Sequence, residues 1–533
     1  MEALCNRHGL FRLKEELVRV PFVVKGRLVL PPEVSPESVR EAFSRAGEYA
    51  TLVKMENVQV LREPVIQRSS MKYTGEYIYQ VMPAPGAYEL IEPETATLAD
   101  GLYRLGVDDI LDYIESIVST LLENYSLAMR VLELLRRTSE FPEAFLDDWI
   151  NSTASSLNRE TARQMIDSEL SFMGKPGSQY LEGWVEVPGG AKSGWLRQKA
   201  VEIFGRNENM PEVKRPYVRA MPTRQLHITA GNAPEVPLVS ALRAVLTKSA
   251  AVIKMPYGAT LSGAFFAMAA VAAAPDHPIT RHLSMVYWQG GDEAIEAELL
   301  MSGAFDRLVV WGGHEAIASM QSRTHFARAV YLNPRYGVSF IGNEAFSASL
   351  EEVAMRASLD VMIHNQKACS SSLVHYVEGS AGQAVRYAGM LQEALYRWDE
   401  EIPNFLNPLK KAQLKRMRRG RYIGAEWLVN TREGEFSSGV VVIQDEFDIL
   451  DHPMCRLVVV KPVDRLEGAL KKLNQFVSTA GVYPEERRLE LRDRMLSRGV
   501  SSVLSLGHCE NLYSGMPHDG MLVLGHLVDW KNS

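Results

Sequence analysis

Ile110, Ile114, Ile117, Leu121, Tyr125, Ala128 and Leu132 follow one another at spacings of three and four. That period puts them on one helical face and predicts one long helix, or two, over residues 107–137. Asp108 and Asp109 at its start and Arg136 and Arg137 at its end complement the helix dipole. The pattern is that of a packing helix. Residues 20–30 and 58–66 are rich in β-branched side chains and predict strands. Residues 174–190, rich in Gly and Pro, predict a loop or domain junction.

From about residue 224 the pattern changes to strands alternating with helices. Residues 225–229 predict a strand ending in AGNAP, and Val236–Leu246 predicts a helix. Residues 250–255 read as a buried strand and 261–274 as an Ala-rich buried helix. A strand over 283–288 and a helix over 292–301 follow. Arg307–Trp311 predicts a strand that leads through Gly312 and Gly313 into a helix starting near His314. Tyr336–Ile341 is expected to close the series. Such alternation predicts βαβ units and a parallel sheet, with ligands at the carboxyl ends of its strands. Those ends are residues 230–234, 254–257, 289–291 and 312–314. Further on, 373–377, 440–444 and 457–461 predict strands, and 466–476 and 485–498 predict helices.

Composition narrows the class. The 533 residues are 46% hydrophobic and 23% charged, which excludes a mainly disordered or fibrous chain. The net charge of -7 shows no basic excess, so a nucleic-acid partner is not expected. Cys5, Cys369, Cys455 and Cys509 are too scattered for a disulfide framework, and no metal-binding spacing occurs. Residues 261–275 are the longest nearly apolar stretch, shorter than the roughly 18–20 residues that span a bilayer. The first residues mix acids and bases and do not resemble a secretory signal. A cytoplasmic protein without a membrane span is therefore expected.

Four places could carry chemistry. Cys369, in HNQKACSSSLVHYVEG, sits at a loop-to-strand junction, where a thiol can face a cleft or pack as a small hydrophobe. Asn232, in GNAPEVP, could donate its amide N–H to an oxyanion. Gly312-Gly313 after a strand suits a phosphate-cradling turn or an ordinary one, and a G-x-G-x-x-G fingerprint is absent there. His518-Asp519-Gly520 reads as an acid–base pair or, more simply, a hydrogen-bonded turn.

The order GNAP, AAVIKMP, FDRLVVWGGHEA, NQKACSS resembles the aldehyde dehydrogenase superfamily, whose segments run approximately PWNFP, VVLKP, V-x-FTGS and GQ-x-C. Within it, RQLHITAGNAP, FVSTAGVYP and MPHDGM…LGHLVDW are most similar to the acyl-CoA reductases of the LuxC type. The resemblance covers roughly residues 215–533. It implies an α/β fold with a Rossmann-type cofactor domain over 201–343 and an α/β catalytic domain with the nucleophile over 344–460. Residues 461–533 would complete the catalytic domain. Residues 1–200 would lie at the periphery of the cofactor domain and serve oligomerisation.

By position, the resemblance makes Cys369 the nucleophile and Asn232 the side-chain oxyanion donor. Lys254 contacts the adenosine ribose, and Gly312 and Gly313 stand beside the cofactor phosphates. Tyr257 occupies the place of a ribose-binding Glu, so a 2′-phosphate is not repelled and NADPH is the expected cofactor, with NADH second. Ser339, in VSFIG, occupies the place of the hydrolytic Glu, which favours reduction over hydrolysis unless Glu344 substitutes. The implied reaction is NAD(P)H-dependent reduction of a fatty acyl-CoA or acyl thioester to the aldehyde. Aldehyde oxidation and a non-catalytic acyl-carrying scaffold are the alternatives. An acyl-transferring protein partner and a homo-oligomer are expected, and no metal.

Overall fold

The computed structural model describes residues 1–93, 101–149, 157–188, 194–205, 215–301, 303–324, 328–420, 424–510 and 514–533, with Asn151, Thr153 and Tyr422. Two seven-stranded sheets dominate it. In the first, five parallel strands lie in the order Arg328–Leu332, Arg307–Trp311, Arg224–Ile228, Ala250–Lys254, Leu283–Val286. The chain enters at the middle strand, Arg224–Ile228, and runs to one edge before returning to fill the other. The crevice between Arg224–Ile228 and Arg307–Trp311 is therefore the topological switch point. An N-terminal hairpin, Phe22–Val24 and Arg27–Val29, adds antiparallel to the Leu283–Val286 edge.

The second sheet has the order Glu426–Arg432, Glu435–Val442, Leu457–Val463, Ser372–Glu378, Tyr336–Ile341, Val477–Tyr483, Ser502–Ser505. Only its first pair is antiparallel. Val440, Val441, Val458, Val459 and Val460 are fully buried, as expected for strands covered on both faces. A five-stranded N-terminal sheet is built on the long hairpin Val58–Gln67 and Lys72–Pro83. A small sheet joins Asp529–Asn532, Tyr217–Met221 and Val185–Glu186.

The structure corrects several expectations. Tyr336–Ile341 does not close the first series but lies inside the second sheet, between Ser372–Glu378 and Val477–Tyr483, and Arg328–Leu332 takes the closing place. The passage between the sheets thus falls before Tyr336, not at 343. Of the two readings of residues 107–137, one helix or two, the structure takes the second: Val107–Glu123 and Tyr125–Thr138, split at Asn124. The Asn124 amide turns back to the Thr120 carbonyl at 2.8 Å, and its oxygen accepts from the Glu2 backbone at 3.1 Å. Residues 174–190 contain the helix Gly177–Glu182 and the strand Val185–Glu186, while 189 and 190 lie outside the described residues. In place of one helix over 466–476 there is a turn of α-helix, Leu466–Ala469, and a 3₁₀ turn, Leu470–Lys472.

Two left-handed bends hold the segment before Cys369. His364, Asn365 and Gln366 have φ of 45°, 56° and 62°, and Met454, Cys455 and Arg456 have φ of 61°, 59° and 58°. Such conformations cost of order 1–3 kcal/mol per non-glycine residue and persist only where the surroundings enforce them. Arg456 does the enforcing. Its side chain is fully buried, and Nε donates to Asn365 Oδ1 at 2.6 Å. Nη1 meets Asp399 at 2.9 Å and the Ile402 carbonyl at 2.6 Å. Asp399 also accepts from the hydroxyls of Ser437 and Ser438. The Gln366 amide donates to the carbonyls of Ser372 and Leu457, at 3.2 and 2.8 Å, and so ties the first bend to two strands. On the far side, Gly337 lets its strand approach the nucleophile segment, since a Cβ there would sit 2.2 Å from the Ser370 carbonyl oxygen.

Arg456→Met should destabilise the protein by about 3–5 kcal/mol, because it strands a buried Asp399. Adding Asp399→Leu should restore part of that loss, read from denaturant midpoints. Gly337→Ala should cost about 1–3 kcal/mol through backbone overlap, seen as a lower thermal midpoint.

Candidate functional site

The carboxyl ends of the first sheet face the amino ends of the second. Asn232 follows the strand Arg224–Ile228, and its amide Nδ2 lies 3.5 Å from the Lys367 carbonyl, two residues before Cys369. Cys369 itself precedes the strand Ser372–Glu378 and is a free, half-buried thiol. Two ring contacts extend the seam: Trp311 with His518 at 5.5 Å, and His314 with Phe476 at 5.7 Å. The elements are far apart in sequence, yet they converge at the switch point that strand order alone singles out.

The surroundings of Cys369 include groups not placed there by sequence reasoning. Ser478, at the start of Val477–Tyr483, lies near the thiol and acts to lower it against the effect of burial. The Ser478 hydroxyl also donates to Asp519 Oδ1 at 3.3 Å. Arg335 closes the group, with Nε 3.6 Å from Asp519 Oδ1 and Nη2 3.4 Å from the Asp519 carbonyl. Burial, and then the negative charge of Asp519, push the Cys369 thiol up to about 11. Burial likewise raises Asp519, with Arg335 opposing. His518 is pushed down to about 3 by burial and the nearby arginines, so it is neutral at physiological pH.

The His518–Met521 segment is both a turn and part of the site. Reciprocal backbone bonds of 2.8 and 3.0 Å join His518 and Met521. The two central residues, Asp519 and Gly520, have φ of 52° and 80°. Asp-Gly is the pair that tolerates two positive φ values in a tight turn. The turn aims Asp519 at the Ser478 hydroxyl and Arg335.

Of the expected cofactor residues, Gly312, Gly313 and Lys254 lie at the carboxyl ends of strands of the first sheet. Gly312 and Gly313 follow Trp311, and Gly313 caps the helix His314–Arg323, with open space where a Cβ would stand. The backbone N–H groups of that first turn suit a phosphate. Lys254 ends its strand with its ammonium over the rings of Tyr287 and Trp288, at 5.8 and 5.5 Å, and burial lowers it to about 8. Glu296, the carboxylate that acts on Lys254, is held by Arg323 and the Trp288 indole. A free lysine and an uncovered helix start at the switch point fit a dinucleotide. Tyr257 turns elsewhere, its hydroxyl donating to the Arg62 carbonyl at 3.3 Å in the N-terminal sheet.

Ser339 is fully buried within Tyr336–Ile341 and paired with the Ser372 hydroxyl at 2.8 Å. That position is inside the sheet, so Ser339 does not replace a base beside the thiol. Glu344 is engaged by Arg487 at 3.0 Å. The carboxylate that does act on Cys369 is Asp519. Between the Asn232 turn and the His364 bend lies a cavity of about 270 Å³. Phe141, Phe145, Leu146, Trp149 and Ile402 form its apolar side, and Asp148, Glu510 and the Glu235–His364 pair, 3.3 Å apart, line the rest. Among the described residues, no cluster of metal-ligating side chains occurs, and no helix is long and apolar enough to cross a membrane.

Comparison with known proteins agrees with this arrangement. Among solved structures, an aldehyde dehydrogenase from Brucella melitensis biovar abortus 2308 superposes with a TM-score of 0.65 at 14% identity, covering 96% of each chain. An NADP-dependent glyceraldehyde-3-phosphate dehydrogenase from Bacillus halodurans C-125 gives 0.65 at 15% identity, covering 96% of this chain and 98% of that one. The fold is that of the aldehyde dehydrogenases. The long-chain acyl-protein thioester reductase of Vibrio harveyi is 27% identical over 319 residues, which are 58% of this chain and 64% of the relative. That of Aliivibrio fischeri is 27% identical over 318 residues, again 58% and 64%. The matches thus leave about a third of each relative uncovered. The family model described as acyl-CoA reductase (LuxC) matches residues 206–530, more than half of the chain. As that match runs through Asn232, Cys369, Ser478 and Asp519 alike, the chain belongs to the acyl-CoA reductase (LuxC) family.

Proposed function

We propose that the protein reduces a fatty acyl thioester to the aldehyde, with the acyl group carried on Cys369. The observation that carries this reading is the meeting of the Asn232 amide with the Cys369 segment at the mouth of the switch-point crevice. The Cys369 thiolate attacks the thioester carbonyl. Asn232 Nδ2 and the Cys369 backbone N–H receive the developing oxyanion, each donor worth about 3–4 kcal/mol in comparable acyl transfers. The departing thiol leaves the acyl group on Cys369. A nicotinamide dinucleotide, when bound, would supply the hydride that the acyl carbon needs. Cleavage of the C–S bond would then release the aldehyde and return the Cys369 thiolate.

Gly312, Gly313 and the start of the helix His314–Arg323 would hold the cofactor phosphates, and Lys254 the adenosine ribose. NADPH is the proposed form, with NADH second: Glu296 is engaged by Arg323, and Tyr257 brings no negative charge against a 2′-phosphate. The aromatic and aliphatic side of the cavity at Pro234 and Glu235 would take the acyl chain. The acyl donor is a CoA thioester or a thioester on a partner protein. A homo-oligomer is supported by the helix Trp195–Phe204, which exposes Trp195, Leu196, Ile203 and Phe204.

Incubation with acyl-CoAs of graded length should yield aldehyde, identified by mass, only when NADPH or NADH is present. Cys369→Ala should abolish both the acyl-enzyme and the aldehyde, and normal turnover by that variant would overturn the reading. Asn232→Ala should slow acylation about 10²–10³-fold. Its NADPH affinity, followed by fluorescence titration, should stay unchanged, because the amide serves only the oxyanion.

A further inference from the structure

Between the bend that Arg456 holds and the nucleophile stands Lys367, and it is gripped from the N-terminal half of the chain. Its carbonyl lies 3.5 Å from Asn232 Nδ2. Its ammonium stands 4.4 Å from the centre of the Phe141 ring and 3.8 Å from Glu140 Oε2. Glu140 is itself fixed from two sides. Oε1 accepts from the Tyr73 hydroxyl at 3.0 Å, and the Asn407 amide donates to Oε1 and Oε2 at 3.0 and 3.1 Å. Tyr73 lies in the strand Lys72–Pro83 and packs edge-on against Phe405 at 5.1 Å. Asn407 Oδ1 accepts from the Lys410 N–H at 2.8 Å, at the start of the helix Pro408–Gly420. Arg68, in the turn before Lys72–Pro83, donates to the carbonyls of Ser139 and Phe141 at 2.7 and 2.8 Å. It thereby fixes the backbone on both sides of Glu140. The long hairpin of the N-terminal sheet thus reaches the residue two before Cys369 through one carboxylate.

We propose that Glu140 is a positioning residue for the oxyanion hole, acting through Lys367 on Asn232. The 3.5 Å between Asn232 Nδ2 and the Lys367 carbonyl exceeds the roughly 2.7–3.2 Å of a committed N–H···O bond. The amide therefore rests against that carbonyl and remains free to donate to an oxyanion. Where the carbonyl sits decides where the amide rests. The Arg456 network fixes the backbone up to Gln366. The Lys367 side chain fixes the next residue, with Glu140 as its counter-charge and the Phe141 ring beneath it. Phe141 also belongs to the apolar side of the cavity, so one loop touches both the nucleophile segment and the proposed acyl site. An ion pair and a cation–ring contact at part-exposed side chains add little to folding. Their worth here is geometric, since a small misplacement of an oriented group lowers a rate steeply. The inference rests on the reaction proposed above, with Asn232 as the oxyanion donor.

The test is the rate at which an acyl-CoA acylates Cys369 without nicotinamide cofactor, followed on the full protein by rapid quench and intact mass. Glu140→Gln keeps an acceptor for Tyr73 and loses the charge that faces Lys367, and it should slow acylation about 10-fold. Lys367→Met should slow it equally, whereas Lys367→Arg, which keeps a cation over the ring, should retain most of the parent rate. Because Glu140 acts through Asn232, adding Glu140→Gln to Asn232→Ala should cost less than about 2-fold more. Alkylation of Cys369 by iodoacetamide forms no oxyanion and should proceed in Glu140→Gln as in the parent. An unchanged acylation rate in Glu140→Gln, or a full multiplicative loss in the double variant, would overturn the inference. So would a parallel fall in alkylation, which would make Glu140 a structural residue of the whole segment. Should Glu140→Gln not fold, the Lys367 variants, alone and with Asn232→Ala, decide by the same readings. A parent that forms no acyl-enzyme, or an Asn232→Ala variant that acylates at the parent rate, would overturn the proposed reaction and this inference together. Multiplicative losses in a protein that acylates normally would overturn the inference alone.

Discussion

A fully buried guanidinium holds the reactive segment in place. Arg456 sits in one left-handed bend and donates to Asn365 in another, and its charge is met by Asp399. Neither bend has a glycine to relieve it. Without the arginine, the His364–Gln366 backbone would relax toward ordinary helix or strand, and Cys369 would leave the end of its strand. A buried ion pair is weak evidence for stability, since well-packed apolar residues often do as well. Here it does something apolar residues cannot. It supplies directional donors that select one backbone path among several.

The rest of the site is made by opposing two sheet ends. Strand order in the first sheet creates an open crevice at Arg224–Ile228 and Arg307–Trp311. The second sheet brings the amino ends of three adjacent strands, Ser372–Glu378, Tyr336–Ile341 and Val477–Tyr483, to that crevice. Arg335, Cys369 and Ser478 all lie at or just before such an end. The third contributor, the Asp519 turn, comes from the stretch that then runs into the strand Asp529–Asn532 beside Tyr217–Met221. A single thiol is thereby surrounded by groups from both sheets and the C-terminal stretch.

Much of this was legible from residue order. Alternating apolar strands and helices after residue 224 are strongly periodic, and Val236–Leu246 and Arg307–Trp311 lie where the pattern puts them. What periodicity cannot carry is sheet membership. Tyr336–Ile341 looks like one more strand of the first series, and only tertiary pairing with Ser372–Glu378 and Val477–Tyr483 assigns it to the second sheet. The same limit explains Ser339, whose place one strand away from the thiol depends on that assignment. Asp519 was visible as a turn residue, because Asp-Gly carries a backbone signal. Its second task was not, because nothing local says that a turn 150 positions after the cysteine folds back onto it. The helix Ala381–Glu401, capped by Ser380 and Gln383, was not singled out from the sequence and bears on the site through Asp399.

The apolar cores of the two large sheets are separate. One gathers residues from the N-terminal half through Leu332 together with Val523–Leu527, while those of the second sheet are drawn from Val338 to Leu506. Across the crevice run contacts of another kind: an amide near a carbonyl, two edge-on ring pairs, and charges around Asp519. A neutral hydrogen bond or a ring pair is worth about 1 kcal/mol. Beside them the Tyr73–Phe405 ring pair and the contacts of Glu140 with Lys367 and Asn407 also join the two bodies, so the seam holds a few specific contacts where each core holds a continuous apolar cluster. Warming or dilute denaturant would part that seam before either core melts, since sub-global opening follows the weakest cooperative boundary. The protein would then lose its working thiol environment while keeping nearly all of its secondary structure, so circular dichroism would register a folded protein that no longer works.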